Sequence, residues 1–116
     1  MALWKEAERK IAKHIGGKRV PITGRQRGDV PDVAHEWLSV EIKHRKKLPE
    51  WIKDGMTQAV AAQQGEQLPV LILHQKYQPY LDSMICMKLR DFLEWFGGDN
   101  VNVEDIASEI EEESIE

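Results

Sequence analysis

The sequence predicts an α/β fold in which helices and strands follow the order α-β-β-β-α-β, with a further β-α pair behind them. Three patterns predict this fold: apolar residues at helical spacing near the N-terminus, alternating apolar and polar residues over 37–43, and a β-branched-rich run over 68–74. The 116 residues are enough for one domain with a core and too few for two. We therefore expect one domain over residues 1–98, followed over 99–116 by an acidic tail that is either helical or disordered.

Residues 2–15 are expected to form an amphipathic helix, because their apolar side chains fall on one broad face at about 100° per residue. The glycine pair that follows should end the helix. If the apolar face is centred near Ile11, Glu8 lies about 60° from that centre and Glu6 lies about 140° from it. We therefore expect the Glu8 side chain to face the sheet and the Glu6 side chain to face solvent.

Three short strands are expected after this helix, with a polar, basic and glycine-bracketed loop between the first two. Successive side chains of a strand point to opposite faces, so Glu41 and Lys43 share one face and Ile42 lies on the other. The predicted strands cover 19–23, 31–34 and 37–43, the loop covers 24–29, and His35-Glu36 forms a turn.

The second half of the chain is expected to add two helices and two strands. Proline is well suited to the start of a helix, where its missing N–H costs no hydrogen bond, and glycine is well suited to the end. The predicted elements are a helix from Pro49 to about Gln64, a buried strand over 68–74, a second strand over 83–88, and a helix over 89–96 that stops at Gly97-Gly98.

Charge is distributed unevenly along the chain, which the formal net charge of −4 conceals. From Asp99 onward there are eight acidic residues and no Lys or Arg, whereas residues 1–98 hold 16 basic and 12 acidic residues. A basic front half suggests a polyanionic partner, most often nucleic acid, although an ordinary solvated surface would give the same asymmetry.

The composition also excludes several classes of protein. A single cysteine, Cys86, excludes an internal disulfide and favours a reducing, cytoplasmic setting. The four histidines lack the Cys/His spacing of a zinc site. The longest strongly apolar run, 70–73, is far shorter than the roughly 18 residues of a membrane-spanning helix, so no membrane partner is expected. Charged residues from Lys5 to Lys10 argue against a signal peptide.

Four side chains in the first half of the chain together suit phosphodiester hydrolysis. Carboxylates that hold one or two Mg²⁺ ions can position a water molecule and neutralise charge on a phosphate, and a nearby lysine can polarise the water or hold the phosphate. The backbone carbonyl of Ile42 is also available to a metal. The four side chains are the carboxylates of Glu8, Asp32 and Glu41 and the ammonium group of Lys43.

The spacing of these residues resembles a known family. Pro31-Asp32, followed nine residues later by Glu41-Ile42-Lys43, within a helix, three strands, helix, strand order, resembles the PD-(D/E)XK nuclease superfamily over roughly residues 3–74. The Glu8-Arg9 pair and the small size resemble its Holliday junction resolvase branch, in archaeal and phage forms. The resemblance implies a central mixed β-sheet flanked by helices and a homodimeric, metal-dependent endonuclease that cuts four-way DNA junctions inside a prokaryote or a phage-infected host.

The resemblance also implies roles for individual residues. Glu8, Asp32 and Glu41, with the Ile42 carbonyl, would bind Mg²⁺ or, as a substitute, Mn²⁺, and Lys43 would assist the attacking water. Some relatives add a glutamine on the following helix together with a downstream tyrosine. Gln58 could take that place or be a solvated helix residue, and no tyrosine follows it on this helix.

Five basic residues are candidates for contacts with DNA phosphates, with a solvated basic turn as the alternative for each. Two lie on the glycine-bracketed loop and three follow directly after the Glu-Ile-Lys segment. These are Arg25 and Arg27, and Arg45, Lys46 and Lys47. Other functions remain open: a nicking, repair or restriction-type endonuclease of the same fold, a non-catalytic nucleic-acid-binding module, or an acidic-tailed interaction protein.

Overall fold

The computed structural model describes residues 3–20, 32–97 and 102–110. Its helices and strands are α1 (Leu3–His14), β1 (Lys18–Arg19), β2 (Val33–Ala34), α2 (Glu50–Ala62), β3 (Leu71–Leu73), β4 (Met84–Cys86), α3 (Leu89–Phe96) and α4 (Val103–Ile106), with a 3₁₀ turn over Tyr80–Asp82 before β4. The described part is a small mixed α/β protein with four α-helices and two antiparallel sheets, so the predicted α/β class is confirmed.

The chain forms two compact units. The first unit contains Met1–Arg45 and Gly97–Glu116, and the second contains Lys46–Phe96. The single domain expected over 1–98 and the separate tail over 99–116 stay predictions.

Helix α1 of the first unit matches the predicted amphipathic helix to within one residue at each end. Gly16 follows it with a φ of +81°, in the left-handed region that favours glycine. A Cβ atom on Gly17 would lie 2.6 Å from the carbonyl oxygen of Ala34, so only glycine lets the chain pass this close to β2. This approach covers Val33, which is fully buried.

Strand β2 lies between two partners in the first unit. It pairs antiparallel with β1, and the pairing extends by a hydrogen bond of 2.8 Å from the backbone N–H of Val20 to the carbonyl of Asp32. On its other side, the Asp32 N–H donates to the carbonyl of Val40 at 2.9 Å, and Val33 forms an isolated antiparallel bridge with Val40. Residues 21–23 of the first predicted strand and the whole loop over 24–29 lie outside the described residues.

The prediction of a continuous third strand over 37–43 is wrong, because this segment is reduced to the single bridge at Val40. Local side-chain hydrogen bonds compete with the strand at both ends. The His35 ring nitrogen Nδ1 accepts from the backbone N–H groups two and three residues further on, at 3.3 and 3.1 Å, which closes a turn. Near the other end, the Ile42 N–H donates to a side-chain carboxylate instead of a neighbouring strand.

In the second unit, α2 begins directly after Pro49, as predicted, and packs on β3. Glycine lets the helix and strand approach closely, because a Cβ atom on Gly55 would lie 2.8 Å from Leu71 Cδ1 and that side chain would have to shift. Strands β3 and β4 pair antiparallel, with Ile72 opposite Ile85. Helix α3 has the predicted bounds, and its Leu93 is buried.

The burial predicted for the run 68–74 is wrong on one face of β3. Ile72 is 62% exposed and its cross-strand partner Ile85 is 59% exposed, whereas Leu71 and Leu73 are half-buried. A two-stranded sheet that packs against a helix on one face leaves the side chains of its other face uncovered within the unit.

Both sheets are antiparallel pairs, so the described residues do not contain the central mixed sheet that the nuclease resemblance implies. In the acidic tail, Asn102 caps α4 by accepting the Glu104 N–H at 3.1 Å. None of the helices within the three described ranges has the length and apolar composition needed to cross a membrane.

Candidate active site around Asp32

Asp32 lies at the start of β2 and is the one buried polar residue within the described ranges, with 6% of its surface exposed. Its carboxylate oxygen Oδ2 accepts a hydrogen bond of 2.5 Å from the backbone N–H of Ile42. Because Ile42 lies between Glu41 and Lys43 in the sequence, this bond fixes the Asp32 carboxylate beside the Glu-Ile-Lys segment. The two halves of the predicted motif are thus brought together.

Glu41 and Lys43 form an exposed ion pair at this segment. Lys43 Nζ lies 3.0 Å from Glu41 Oε2, and the two side chains are 65% and 60% exposed, respectively. The two side chains meet in this ion pair, although no continuous strand holds them on one face. An exposed ion pair contributes only about 0–1 kcal/mol to stability. Both groups can therefore leave this ion pair and bind a ligand instead, at little cost in free energy.

Glu8 on α1 points toward β1 and Glu6 points to solvent, so the helical-face prediction for this pair is confirmed. Glu8 Oε2 accepts a hydrogen bond of 2.6 Å from Arg19 Nε, and the two side chains are 13% and 15% exposed. Glu6 instead pairs with Arg9 at 3.4 Å, with 42% of its side chain exposed.

Arg19 also packs against an aromatic ring. Its guanidinium carbon lies 5.7 Å from the centre of the Trp4 ring, within the range of a cation–π contact. Glu8, Arg19 and Trp4 therefore form one small cluster that ties α1 to β1. The charge of Glu8 is neutralised within this cluster, which makes Glu8 a structural residue in this conformation.

The donor atoms of the site suit Mg²⁺ in part. Mg²⁺ binds proteins through one or two carboxylates, keeps several waters and takes further oxygens from a substrate phosphate. Asp32 and Glu41 are the candidates for such a pair, because the Ile42 N–H that Asp32 binds belongs to the peptide that joins Glu41 to Ile42. Within residues 3–20, 32–97 and 102–110 there is no group of three or more His, Cys, Asp or Glu side chains that could hold a metal ion. Glu8 as a third ligand stays a prediction, and it requires release from Arg19.

The residues predicted to contact DNA are only partly described. Arg25 and Arg27 lie outside the described residues. Arg45 donates from Nη1 to the His44 carbonyl at 3.0 Å, and the side chains of Lys46 and Lys47 are exposed. Gln58 is exposed on α2, and its role beside the site stays a prediction.

Two residues support the site without a local sequence signal for that role. Arg19 belongs to β1, and its side chain neutralises Glu8. His35 lies in the turn after β2, and its ring donates from Nε2 to the Ile15 carbonyl at 2.8 Å, which ties the end of α1 to this turn. Both contacts join residues from separate elements, so no local sequence pattern predicts them.

Comparisons of this chain with protein-family models, with curated proteins and with solved structures found no match.

Proposed function

We propose that this protein is a metal-dependent, structure-selective DNA endonuclease of the PD-(D/E)XK type, and specifically a Holliday junction resolvase that hydrolyses a phosphodiester in each of two opposing strands. The single observation that carries the proposal is the hydrogen bond between the Asp32 carboxylate and the Ile42 N–H. This bond joins the Pro-Asp and Glu-Ile-Lys segments, which are separated in sequence and common by themselves. The resemblance places the enzyme in the cytoplasm of a prokaryote or a phage-infected host.

In this proposal Asp32 and Glu41, with the Ile42 carbonyl, hold Mg²⁺, or Mn²⁺ in its place. When bound, the metal activates water and neutralises charge that develops on the scissile phosphate. Asp32 is a rigid ligand, since it is buried and fixed to the Ile42 N–H. Glu41 and Lys43 are exposed and adjustable. The Lys43 ammonium turns from Glu41 toward the substrate, where it holds the phosphate or polarises the attacking water.

The proposed substrate determines the assembly. A four-way junction has near two-fold symmetry, and its resolution needs two cuts. Each chain carries one Asp32–Glu41–Lys43 site, so a homodimer with two-fold symmetry supplies the pair. In this proposal the basic residues that follow Lys43 in the sequence, at 45–47, contact the DNA phosphate backbone.

A second candidate is a non-catalytic nucleic-acid-binding module that keeps the fold without cleavage. It is favoured by the engagement of Glu8 with Arg19 and by the missing three-residue metal group in the described part of the chain. This candidate predicts binding to branched DNA that does not depend on Mg²⁺ and yields no product.

Cleavage assays on labelled DNA test the proposal and separate the two candidates. The substrates are a four-way junction, a linear duplex, a flap and a single strand, each with Mg²⁺ or with EDTA. We expect cleavage of the junction with Mg²⁺ only, and a loss of about a hundredfold or more for Lys43→Ala.

Lys53→Ala is the matched control for Lys43→Ala. Lys53 is also an exposed lysine that pairs with a glutamate, Glu50, at 3.0 Å, but it lies on α2 in the second unit. Lys53→Ala should cleave like the unchanged protein. Equal activity of the two variants would remove Lys43 from the mechanism, and binding without cleavage under every condition would favour the non-catalytic module.

A further inference from the structure

Helix α1 carries a basic face that none of the DNA contacts predicted from sequence includes. Lys10, Lys13 and His14 are spaced three and four residues apart, so they lie on one side of the helix. We call these three residues the α1 basic face. They lie in the last turns of α1, where the negative end of the helix dipole favours cations.

This face already holds an anion, which is supplied by the acidic tail. Glu109 Oε1 accepts a hydrogen bond of 2.9 Å from His14 Nε2, and Glu109 Oε2 lies 3.7 Å from Lys10 Nζ. The hydrogen bond from His14 is the main cause that lowers the pKa of the Glu109 carboxyl. Desolvation opposes this shift, and the charges of Lys10, His14 and Lys13 lower the pKa further. A carboxylate is thus stabilised at the α1 basic face.

An open groove of about 680 Å³ runs beside this contact within the first unit. Its walls come from α1, from residues 35–37 and from the tail segment 102–109. Trp37 lies on this wall, and 61% of its surface is exposed. The groove therefore joins the α1 basic face to an accessible aromatic side chain, the combination with which proteins hold the phosphates and bases of nucleic acid. Its lining also contains the carboxylates of Glu6, Glu36 and Asp105.

We propose that the α1 basic face is a binding site for the phosphate backbone of DNA, and that Glu109 of the acidic tail occupies this site as an intramolecular competitor. The choice of DNA as the ligand rests on the proposed function. The tail has the charge that a competitor needs, since it holds eight acidic residues and no Lys or Arg from Asp99 onward.

The strength of the contact also suits a competitor that DNA can displace. The Glu109 and Lys10 side chains are 36% and 49% exposed, and an ion pair in such surroundings contributes little to stability and is screened by salt. DNA offers several phosphates to the same face at once and releases its counterions on binding. The tail therefore sets a threshold for DNA binding without blocking the site.

The test compares two variants with the same change in net charge. Glu109→Gln removes the carboxylate from the α1 basic face. Glu104→Gln is the matched control, because Glu104 lies on the same tail segment, does not line the groove and forms no ion pair among the described residues. Binding of a fluorescent four-way junction and of a linear duplex is measured at low ionic strength in EDTA, with folding checked by circular dichroism.

Glu109→Gln is expected to bind both DNAs about two- to fivefold more tightly than Glu104→Gln, the range that corresponds to one exposed ion pair. Adding Lys10→Ala and Lys13→Ala should abolish this gain. Equal binding of the two glutamine variants would overturn the proposal, and so would a gain that persists without Lys10 and Lys13.

Failure of the α1 site and failure of the nuclease proposal give different results. A gain in binding for Glu109→Gln in a protein that never cleaves would support the α1 site and refute the nuclease. Cleavage that depends on Asp32 and Lys43, together with equal binding of Glu109→Gln and Glu104→Gln, would refute only the α1 site.

Discussion

The carboxylate of Asp32 accepts the backbone N–H of Ile42, ten residues further along the chain, at 2.5 Å. A backbone N–H in this position would otherwise seek a carbonyl of a neighbouring strand or a water. Asp32 thus has a structural role, because it holds the Glu41-Ile42-Lys43 segment against the start of β2. This role is additional to the chemical role proposed for it. Substitutions of Asp32 can separate the two roles.

Asp32→Asn should keep the fold and lose cleavage. The asparagine side-chain oxygen can still accept the Ile42 N–H, so we expect the free energy of unfolding to fall by about 1 kcal/mol or less. Asp32→Ala leaves a buried donor without its partner, which should cost about 1–3 kcal/mol. Both variants lose the carboxylate ligand and should not cut a four-way junction.

Urea unfolding followed by circular dichroism, together with junction cleavage, measures both effects. Asp54 is exposed on α2, so Asp54→Ala serves as the control. This variant should change neither the unfolding curve nor the cleavage of the junction. An Asp32→Asn variant that folds and cleaves normally would exclude Asp32 as a ligand. Equal unfolding curves for the asparagine and alanine variants would show that the hydrogen bond to Ile42 contributes nothing.

Glu8→Gln and Glu6→Gln should differ in stability as well as in activity. Glu8 has a largely buried ion pair with Arg19, whereas the pair between Glu6 and Arg9 is exposed. We expect Glu8→Gln to lower the free energy of unfolding by about 1–3 kcal/mol and Glu6→Gln to change it by less than about 0.5 kcal/mol. Cleavage should be impaired by the first change only.

Arg19→Ala distinguishes a ligand role for Glu8 from a structural one. It breaks the same ion pair but leaves the Glu8 carboxylate in place. If Glu8 binds metal, Arg19→Ala should destabilise the protein as Glu8→Gln does and retain more cleavage. Equal losses of cleavage in two equally stable variants would assign Glu8 a structural role alone.

The parts of this fold that follow from local patterns could be predicted from the sequence, and the parts that follow from contacts between elements could not. Helix α3 has the predicted bounds because apolar periodicity and the glycines behind it act locally. The orientation of Glu8 was predictable for the same reason. Its partner Arg19 was not, because that contact depends on how β1 packs against α1.

The errors at 37–43 and at β3 have related physical causes. Alternation predicted a strand at 37–43, but the His35 ring and the Asp32 carboxylate take N–H groups that a strand would use. For β3, the composition predicted a strand correctly but not which of its two faces would be covered, since burial depends on the partners of the sheet. The resemblance implies that Asp32 lies near Glu41 and Ile42, but nothing in the sequence predicts the hydrogen bond from the Ile42 N–H to Asp32.

The contact between Glu109 and α1 should depend on pH. The His14 hydrogen bond and the lysine charges lower the pKa of Glu109 below its ordinary value. A carboxyl group whose pKa is lowered on folding stabilises the folded state above its unfolded pKa, and this contribution is lost as the pH falls through the lowered folded value. The unchanged protein should therefore be more stable than Glu109→Gln at neutral pH, and the difference should vanish in acid.

Thermal unfolding of the two proteins between neutral pH and about pH 3 measures this difference. Glu104→Gln should show no comparable dependence, because Glu104 has no ion pair among the described residues. The stability difference between Glu109→Gln and the unchanged protein could instead be constant across this pH range, or largest at its acid end. Either result would show that the Glu109 carboxylate does not make this contact in solution.

The proposed resolvase should be a dimer, and α3 and β4 are the candidates for its interface. Trp95 and Met84 are large apolar residues with 54% and 64% of their surface exposed, and Phe92 and Met87 beside them are half-buried. Light scattering at micromolar concentration should give about twice the 13.4 kDa of one chain. Because aromatic residues dominate the binding energy of interfaces, Trp95→Ala should shift the mass toward that of a monomer.

Trp51→Ala is the control for this shift. Trp51 is 63% exposed on α2, so its removal alters an equally accessible tryptophan of the same unit. It should leave the dimer intact. Loss of the dimer in both variants would point to a general effect on folding.

A monomeric mass for the unchanged protein, with and without junction DNA, would exclude paired cutting, because one chain holds a single Asp32–Glu41–Lys43 site. The hypothesis to test would then be a nuclease that makes single cuts.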